Sequence, residues 1–445
     1  MKTKAIKKIA AAFAVAGCVA ISAFAGGCTT VKIERDNISG KDLNIYDVYA
    51  AAKQETNNPD LTFSEFLKEY LSYTSSELEE ATSLQAAINR SLLSCVSLRV
   101  RFARKSGPGT FAMSGSGVII DIDREKGEMT VATNCHVVYS AEAMGDGYSD
   151  EVDLWLYGSE SAYEGTYESN KIPAKVIAAS KTYDVALLKV NNSEIVKGSK
   201  AVKAEWSLRE ENYIGERVYA VGNANGETIS ASDGIISKDI ESIRANLGTE
   251  SNQEIYEYSV LRTSAAISSG NSGGGLYNAS GELIGLVNAK HKDDALSAGY
   301  ALCAASARRV INRMLSDYNG KETHGVRIAE HGIEAEVLDS YSTGLNKDGF
   351  AEIVELVTVD ENLEWPAQSK FQKNDVINHV KIIRPLDGGT QTVEDADITR
   401  EHIFHNVLLS AEAGDTAEFT VLRPGEKEPR TITITFTEDD MKVKD

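Results

Sequence analysis

The stretch Gly270-Asn271-Ser272-Gly273-Gly274 has the make-up of a nucleophilic turn. A hydroxyl that attacks a carbonyl must stand on a tight turn whose backbone N–H groups converge on the developing oxyanion. Flanking glycines permit the backbone angles of such a turn and a close approach of substrate. For the string alone, a plain Gly-rich turn between strands is the alternative. A serine hydroxyl is a weak nucleophile until a histidine takes its proton, and that histidine needs a carboxylate to hold its tautomer. Of seven histidines, six follow Ser272 and only His136 precedes it, in Val131-Ala132-Thr133-Asn134-Cys135-His136-Val137-Val138 at the expected end of an apolar strand. The carboxylate candidate is Asp184, which opens the apolar run Val185-Ala186-Leu187-Leu188-Lys189-Val190. A carboxylate buried there is costly unless it has a partner.

These three residues must be positioned by strands. From about residue 92 the hydrophobic period is two, with Val96, Leu98, Val100 and Phe102 alternating with polar neighbours. Short apolar runs recur at 117–120, 129–133, 152–156, 185–190, 217–221 and 283–287, separated by Gly, Asn and Asp. A helical pattern at 304–318 closes the region. Many short strands with few amphipathic helices predict an all-β sandwich or barrel. The order His, Asp, Ser differs from that of α/β-hydrolases and subtilisins. Combined with the β pattern, it fits a chymotrypsin-like double β-barrel.

Thr133-Asn134-Cys135-His136-Val137-Val138, Tyr183-Asp184-Val185-Ala186-Leu187-Leu188-Lys189-Val190 and Thr263-Ser264-Ala265-Ala266-Ile267-Ser268-Ser269-Gly270-Asn271-Ser272-Gly273-Gly274 resemble the His, Asp and Ser motifs of HtrA-type (Deg-type) serine proteases. Val221-Gly222-Asn223, Ser232-Asp233-Gly234-Ile235-Ile236-Ser237 and Gly281-Glu282-Leu283-Ile284-Gly285-Leu286 extend the resemblance. It implies Ser272 as nucleophile, His136 as general base and then acid, Asp184 as orienting carboxylate, and an oxyanion hole within Gly270, Asn271 and Ser272. Departures are Cys135 in place of a more usual Asn, Ser264, Ser268 and Ser269 where the family often has Asp, Asn and Pro, and Gly275 in place of Pro. The fold implies a specificity pocket with Ala266 and Ile267 at its base and Asn288, Ala289 and Lys290 in the opposite wall. No acid sits at that base, so a small to medium apolar residue is expected before the cut.

Residues 322–440 read as a smaller α+β unit, with strands at 350–356, 375–382, 417–422 and 431–436 and a helix at 399–409. They resemble the PDZ domain that follows the protease domain of HtrA proteins, which captures C-terminal peptides by strand addition. The turn at Gly349-Phe350 is the candidate for holding a peptide carboxylate. His402 and His405 lie three apart on that helix, and a solvated face explains them better than a metal. Acyl transfer of this kind needs no metal or cofactor.

The 445 residues carry a formal charge of −20, with 42% hydrophobic and 25% charged residues. That argues against a disordered chain, a multi-span membrane protein and a nucleic-acid partner, which would need clustered Lys and Arg. Residues 1–27 read as a signal peptide, with Lys2, Lys4, Lys7 and Lys8 before an apolar run. Ala23-Phe24-Ala25 suits ordinary cleavage; Cys28 and Cys18 each end a lipoprotein-type box, and Cys28 is the favoured lipidation candidate. The expected site of action is extracytoplasmic, as a surface lipoprotein or secreted protein. Residues 28–91 read as a helical spacer and 92–318 as the trypsin-like domain. The resemblance implies unfolded or damaged polypeptides as substrates and, by family analogy, further copies in a homo-oligomer, a trimer; the alternative is a non-catalytic or dormant peptide-binding, chaperone-like protein on a protease scaffold. Cys95, Cys135 and Cys303 could form one bridge or none.

Overall fold

The alternation at residues 96–102 appears as strand β1 (Cys95–Ala103), whose Val96, Leu98, Val100 and Phe102 are at most 2% exposed. The structure, a computed structural model, describes residues 19–20, 32–33, 49, 53, 63–70, 83–159, 168–249, 251–290, 298–347, 349–360 and 362–445. Cys18 and Cys28 lie outside the described residues. The chain divides into two units. The first holds helices α1 (Phe63–Tyr70) and α2 (Leu84–Leu93), and α1 buries Phe66 and Leu67. The second holds residues 94–278 and 282–445.

β1 is joined by β2 (Thr110–Asp123), β3 (Glu128–Thr133), a helical turn α3 (Cys135–Val138), β4 (Glu151–Leu156), β5 (Ile172–Ser180) and β6 (Val185–Val190). The strands run in the order β5-β4-β1-β2-β3-β6, and pairing of β5 with β6 closes the ring. A second ring contains β7 (Arg217–Ala224), β8 (Thr228–Asn246), β9 (Ile255–Thr263), β10 (Gly275–Asn278), β11 (Glu282–Lys290) and β12 (Gly299–Cys303). Its order is β10-β7-β8-β9-β12-β11, closed by β10 on β11. Closure removes the unpaired edges of both sheets, and each barrel fills its interior with its own apolar side chains. This is the chymotrypsin-like double barrel.

The sequence pattern missed β8, because only Ile229 and Ile236 of its side chains are buried. Helix α4 (Ala304–Asp317) follows the second barrel as expected, burying Val310, Ile311 and Met314.

An additional β domain contains β13 (Val326–Ala329), β14 (Ala335–Leu345), β15 (Ala351–Val359), β16 (Val376–Leu386), β17 (Gly389–Asp397), α5 (Glu401–Leu408), β18 (Thr416–Leu422), β19 (Arg430–Thr435) and β20 (Met441–Lys444). Its core includes Phe371, Phe404 and Phe419. Ion pairs anchor it to the second barrel. Arg309 of α4 bridges Glu210 and Glu394, and Arg400 bridges Asp239 and Glu355.

Candidate active site

β3 ends where the Thr133 hydroxyl donates to the Ser116 carbonyl at 2.7 Å. The chain does not continue as a strand through His136, as the apolar run suggested, but winds into α3. Asn134 makes the turn, its side-chain amide donating to the Asp184 carbonyl at 3.0 Å. That winding points two groups of His136 at one carboxylate. The backbone N–H donates to Asp184 Oδ1 at 2.9 Å, and ring Nδ1 lies 2.8 Å from Oδ2. With Asp184 ionised, Nδ1 carries the proton and Nε2 is left as the accepting nitrogen.

Asp184 sits in the β5–β6 turn at φ 48°, a left-handed conformation that Asp tolerates better than most residues. It is 0% exposed, and Asn288 also donates its side-chain amide to Oδ2. The buried acid therefore has the partners that its burial requires. Burial lowers the His136 pKa, the Asp184 charge and hydrogen bond raise it, and the balance lies above the ordinary histidine value.

Ser272 stands between β9 and β10 across the seam from β2, and its carbonyl accepts the Ser116 N–H at 2.8 Å. Its hydroxyl donates to the Asn288 carbonyl at 3.0 Å. Among the described hydrogen bonds, none joins this hydroxyl to His136. The preceding loop is held peptide by peptide. Ser269 O accepts the Asn225 N–H at 2.6 Å, and Asn271 O accepts the Gly274 N–H at 2.9 Å. In a trans peptide the N–H points opposite to the C=O, so the N–H groups of Gly270 and Ser272 turn the other way. Neither has a partner among the described hydrogen bonds. The Asn271 N–H is spent on Ser268 O at 3.1 Å, so of the three expected oxyanion residues only Gly270 and Ser272 keep a free donor. Gly270 reaches this shape with φ 92°, and a Cβ there would lie 2.3 Å from the Asn223 carbonyl.

The expected pocket residues separate. Ile267 is buried and packs on Gly299, where a Cβ would come within 2.2 Å of its Cγ1, while Ala266 is exposed. Asn288 does not face a pocket wall with its side chain; a register shift between Val287 and Ala289 takes it out of the β11–β12 ladder, and its amide turns to Asp184. Ala289 and Lys290 pair through their backbones with Tyr300 and Gly299, and their side chains lie outside the described residues.

Cys135 is buried, and burial followed by the Asp184 charge pushes its thiol well above the usual range, so it packs rather than reacts. Cys95, Cys135 and Cys303 are all free, which removes the bridge left open by the sequence. The Gly349-Phe350 turn cannot hold a peptide carboxylate as expected, because both of its N–H groups donate to Asn346. No cluster of metal-ligating side chains occurs among the described residues. The sequence reading passed over Ser116, Asn134 and Asn223. The flanking glycines of Gly115-Ser116-Gly117 were the available signal, since both admit close packing.

The trypsin-like peptidase domain family matches residues 115–286, which span Ser116, His136, Asp184 and Ser272. The chain is 28% identical over 326 residues to the serine protease Do-like HtrB of Bacillus subtilis (strain 168), covering 72% of this chain and 62% of that protein. It is 31% identical over 208 residues to the periplasmic serine endoprotease DegP of Escherichia coli (strain K12), covering 46% of this chain and 36% of that protein. The chain is thus similar to HtrA-type serine proteases over its trypsin-like region. The solved HtrA-type protease AlgW with decapeptide aligns over 78% of this chain and 97% of its own at 20% identity and a TM-score of 0.47. The HtrB match spans under two thirds of that relative, and no helix among the described residues is long and apolar enough to cross a membrane.

Proposed function

We propose that this chain is an HtrA-type serine endopeptidase acting on extended polypeptides outside the cytoplasm, with His136, Asp184 and Ser272 as its triad. One observation carries the reading. The doubly held His136–Asp184 pair lies on one side of the barrel seam, and two unspent N–H groups flank Ser272 on the other.

In this mechanism His136 Nε2 takes the Ser272 hydroxyl proton as Oγ attacks the scissile carbonyl. Gly270 and Ser272 N–H groups stabilise the oxyanion, and Asp184 stabilises the imidazolium. The imidazolium then protonates the leaving amine, and the acyl-enzyme is hydrolysed by a water whose proton goes to His136. Ile267 at the pocket base favours a small to medium apolar residue before the cut. The test is labelling by a fluorophosphonate probe. Stoichiometric reaction of the native chain, lost in Ser272→Ala, supports the reading; no reaction with or without peptide activators overturns it.

A second reading is favoured by the Ser272–Asn288 hydrogen bond, which occupies the nucleophile's hydroxyl. On it the site rests until a peptide binds the PDZ-like unit at 322–440, and turnover rises on adding such a peptide. We further assign residues 1–27 to a signal peptide, 28–91 to a spacer and 92–318 to the trypsin-like domain. Cys28 is the favoured lipid-anchored residue, and mass spectrometry of the mature N-terminus decides that point.

A further inference from the structure

Ser116 lies on the first barrel, yet it hydrogen-bonds to Gly270 and Ser272 of the loop that carries the nucleophile. It is 0% exposed in the middle of β2, between Gly115 and Gly117. A Cβ on Gly115 would come within 2.6 Å of Val137, and one on Gly117 within 2.4 Å of Val131. The glycines let β2 approach closely, and Ser116 supplies the side chain between them. Its hydroxyl donates to the Gly270 carbonyl at 2.6 Å and accepts the Asn223 N–H at 2.7 Å. Its own N–H donates to Ser272 O at 2.8 Å, and its carbonyl is held by Thr133 at 2.7 Å.

We propose that Ser116 is a positioning residue for the oxyanion hole, fixing from the first barrel the peptide that links the two donor N–H groups of the second. The carbonyls of the 269–270 and 271–272 peptides are anchored within the second barrel. The peptide between them, 270–271, sets their relative angle, and its carbonyl is bound by Ser116 across the seam. Gly270, free to rotate without a Cβ, would otherwise let that peptide turn. Oxyanion donors act only when aimed before the reaction begins, so this one hydroxyl controls transition-state binding without touching substrate.

The inference rests on Ser272 being the nucleophile, and its test separates the two. Ser116→Ala is expected to lower kcat by about 10- to 100-fold with KM changed by less than about twofold. The rate of fluorophosphonate labelling and the affinity for a peptide boronic acid, which forms a tetrahedral adduct, fall in the same proportion. The acid limb of kcat/KM stays in place, because the His136–Asp184 bonds are untouched. Ser116→Cys, which keeps a weak donor, falls between wild type and Ser116→Ala, and decides the matter should the alanine variant not fold. A Ser116→Ala chain with wild-type kcat and inhibitor affinity overturns the inference while leaving the protease reading intact. A shifted acid limb, or loss with no gain from cysteine, makes the role structural and also overturns it. A wild-type chain that never labels overturns the protease reading, and this inference with it.

Discussion

The Ser272 hydroxyl donates to the carbonyl of Asn288 at 3.0 Å, while the side-chain amide of the same Asn288 donates to Asp184. One residue thus touches two members of the proposed triad. It can do so because the register shift between Val287 and Ala289 frees it from the β11–β12 ladder. Attack requires the hydroxyl to turn from Asn288 to His136.

Asn288→Ala is expected to reduce kcat/KM by about tenfold at neutral pH, through looser placement of Asp184. Loss of the amide leaves more of the Asp184 charge facing the imidazolium, so the acid limb moves to higher pH. Rate profiles of the two proteins between pH 5 and 9 check this; an unmoved limb removes Asn288 from the triad's support.

On the proposed mechanism the wild-type acid limb reports His136, which must be neutral to act as base. The carboxylate beside it holds the His136 pKa above the ordinary value of about 6.5, so kcat/KM rises through a midpoint above that pH. Cys135 and Tyr258, which both feel the Asp184 charge, have pKa values raised above their ordinary ones. Neither of them loses its proton in this window. An acid midpoint clearly below 6 contradicts the assignment.

Gly270→Ala places a Cβ against the Asn223 carbonyl at a left-handed backbone position. The loop must shift, and activity is expected to fall by about 100-fold or more while circular dichroism stays native. Gly349→Ala is the control. It has a similar φ of 83° but no heavy atom within 4 Å of the added Cβ, so it costs about 1 kcal/mol and leaves turnover unchanged.

Arg309, with a side chain 4% exposed, forms hydrogen bonds of 2.8–2.9 Å to both carboxylate oxygens of Glu210 and of Glu394. Arg309→Ala removes the cation and leaves two half-buried carboxylates facing each other. A loss of about 3 kcal/mol in denaturant unfolding is expected. A loss below about 1 kcal/mol would show the clamp to be well solvated.

His331 is held neutral: burial, then the His405 and Lys444 charges, push its pKa down to about 3. The unfolded chain takes up this proton near pH 6.5, and the folded one does so only near 3. The stability linked to His331 is therefore complete above about 6.5 and lost as pH falls towards 3. The melting temperature of wild type should drop more between pH 7 and 4.5 than that of His331→Gln.

The proposed triad could be picked from the sequence because each candidate sits in a local string whose chemistry is unusual: a serine among glycines, a lone upstream histidine, an acid opening an apolar strand. The barrel strands were legible where one face is buried, as in Val96, Leu98, Val100 and Phe102. The long strand β8 was not, because only Ile229 and Ile236 among its side chains are buried, which leaves no hydrophobic period. Asn288 looked like a pocket wall, since nothing local announces a register shift.

Residue types and their order were enough to point to the closed β architecture, to a kind of reaction and to three candidate groups for it, because these follow from side-chain chemistry and short-range patterning. Only the tertiary structure decided that Ser116 and Asn288 reach across the seam to the loop and the acid, and that Asn271 spends its N–H. The contacts of Ser116 with Gly270 and of Asn288 with Asp184 join residues more than a hundred positions apart, and hydrogen-bond direction there depends on how two barrels meet rather than on any neighbouring residue.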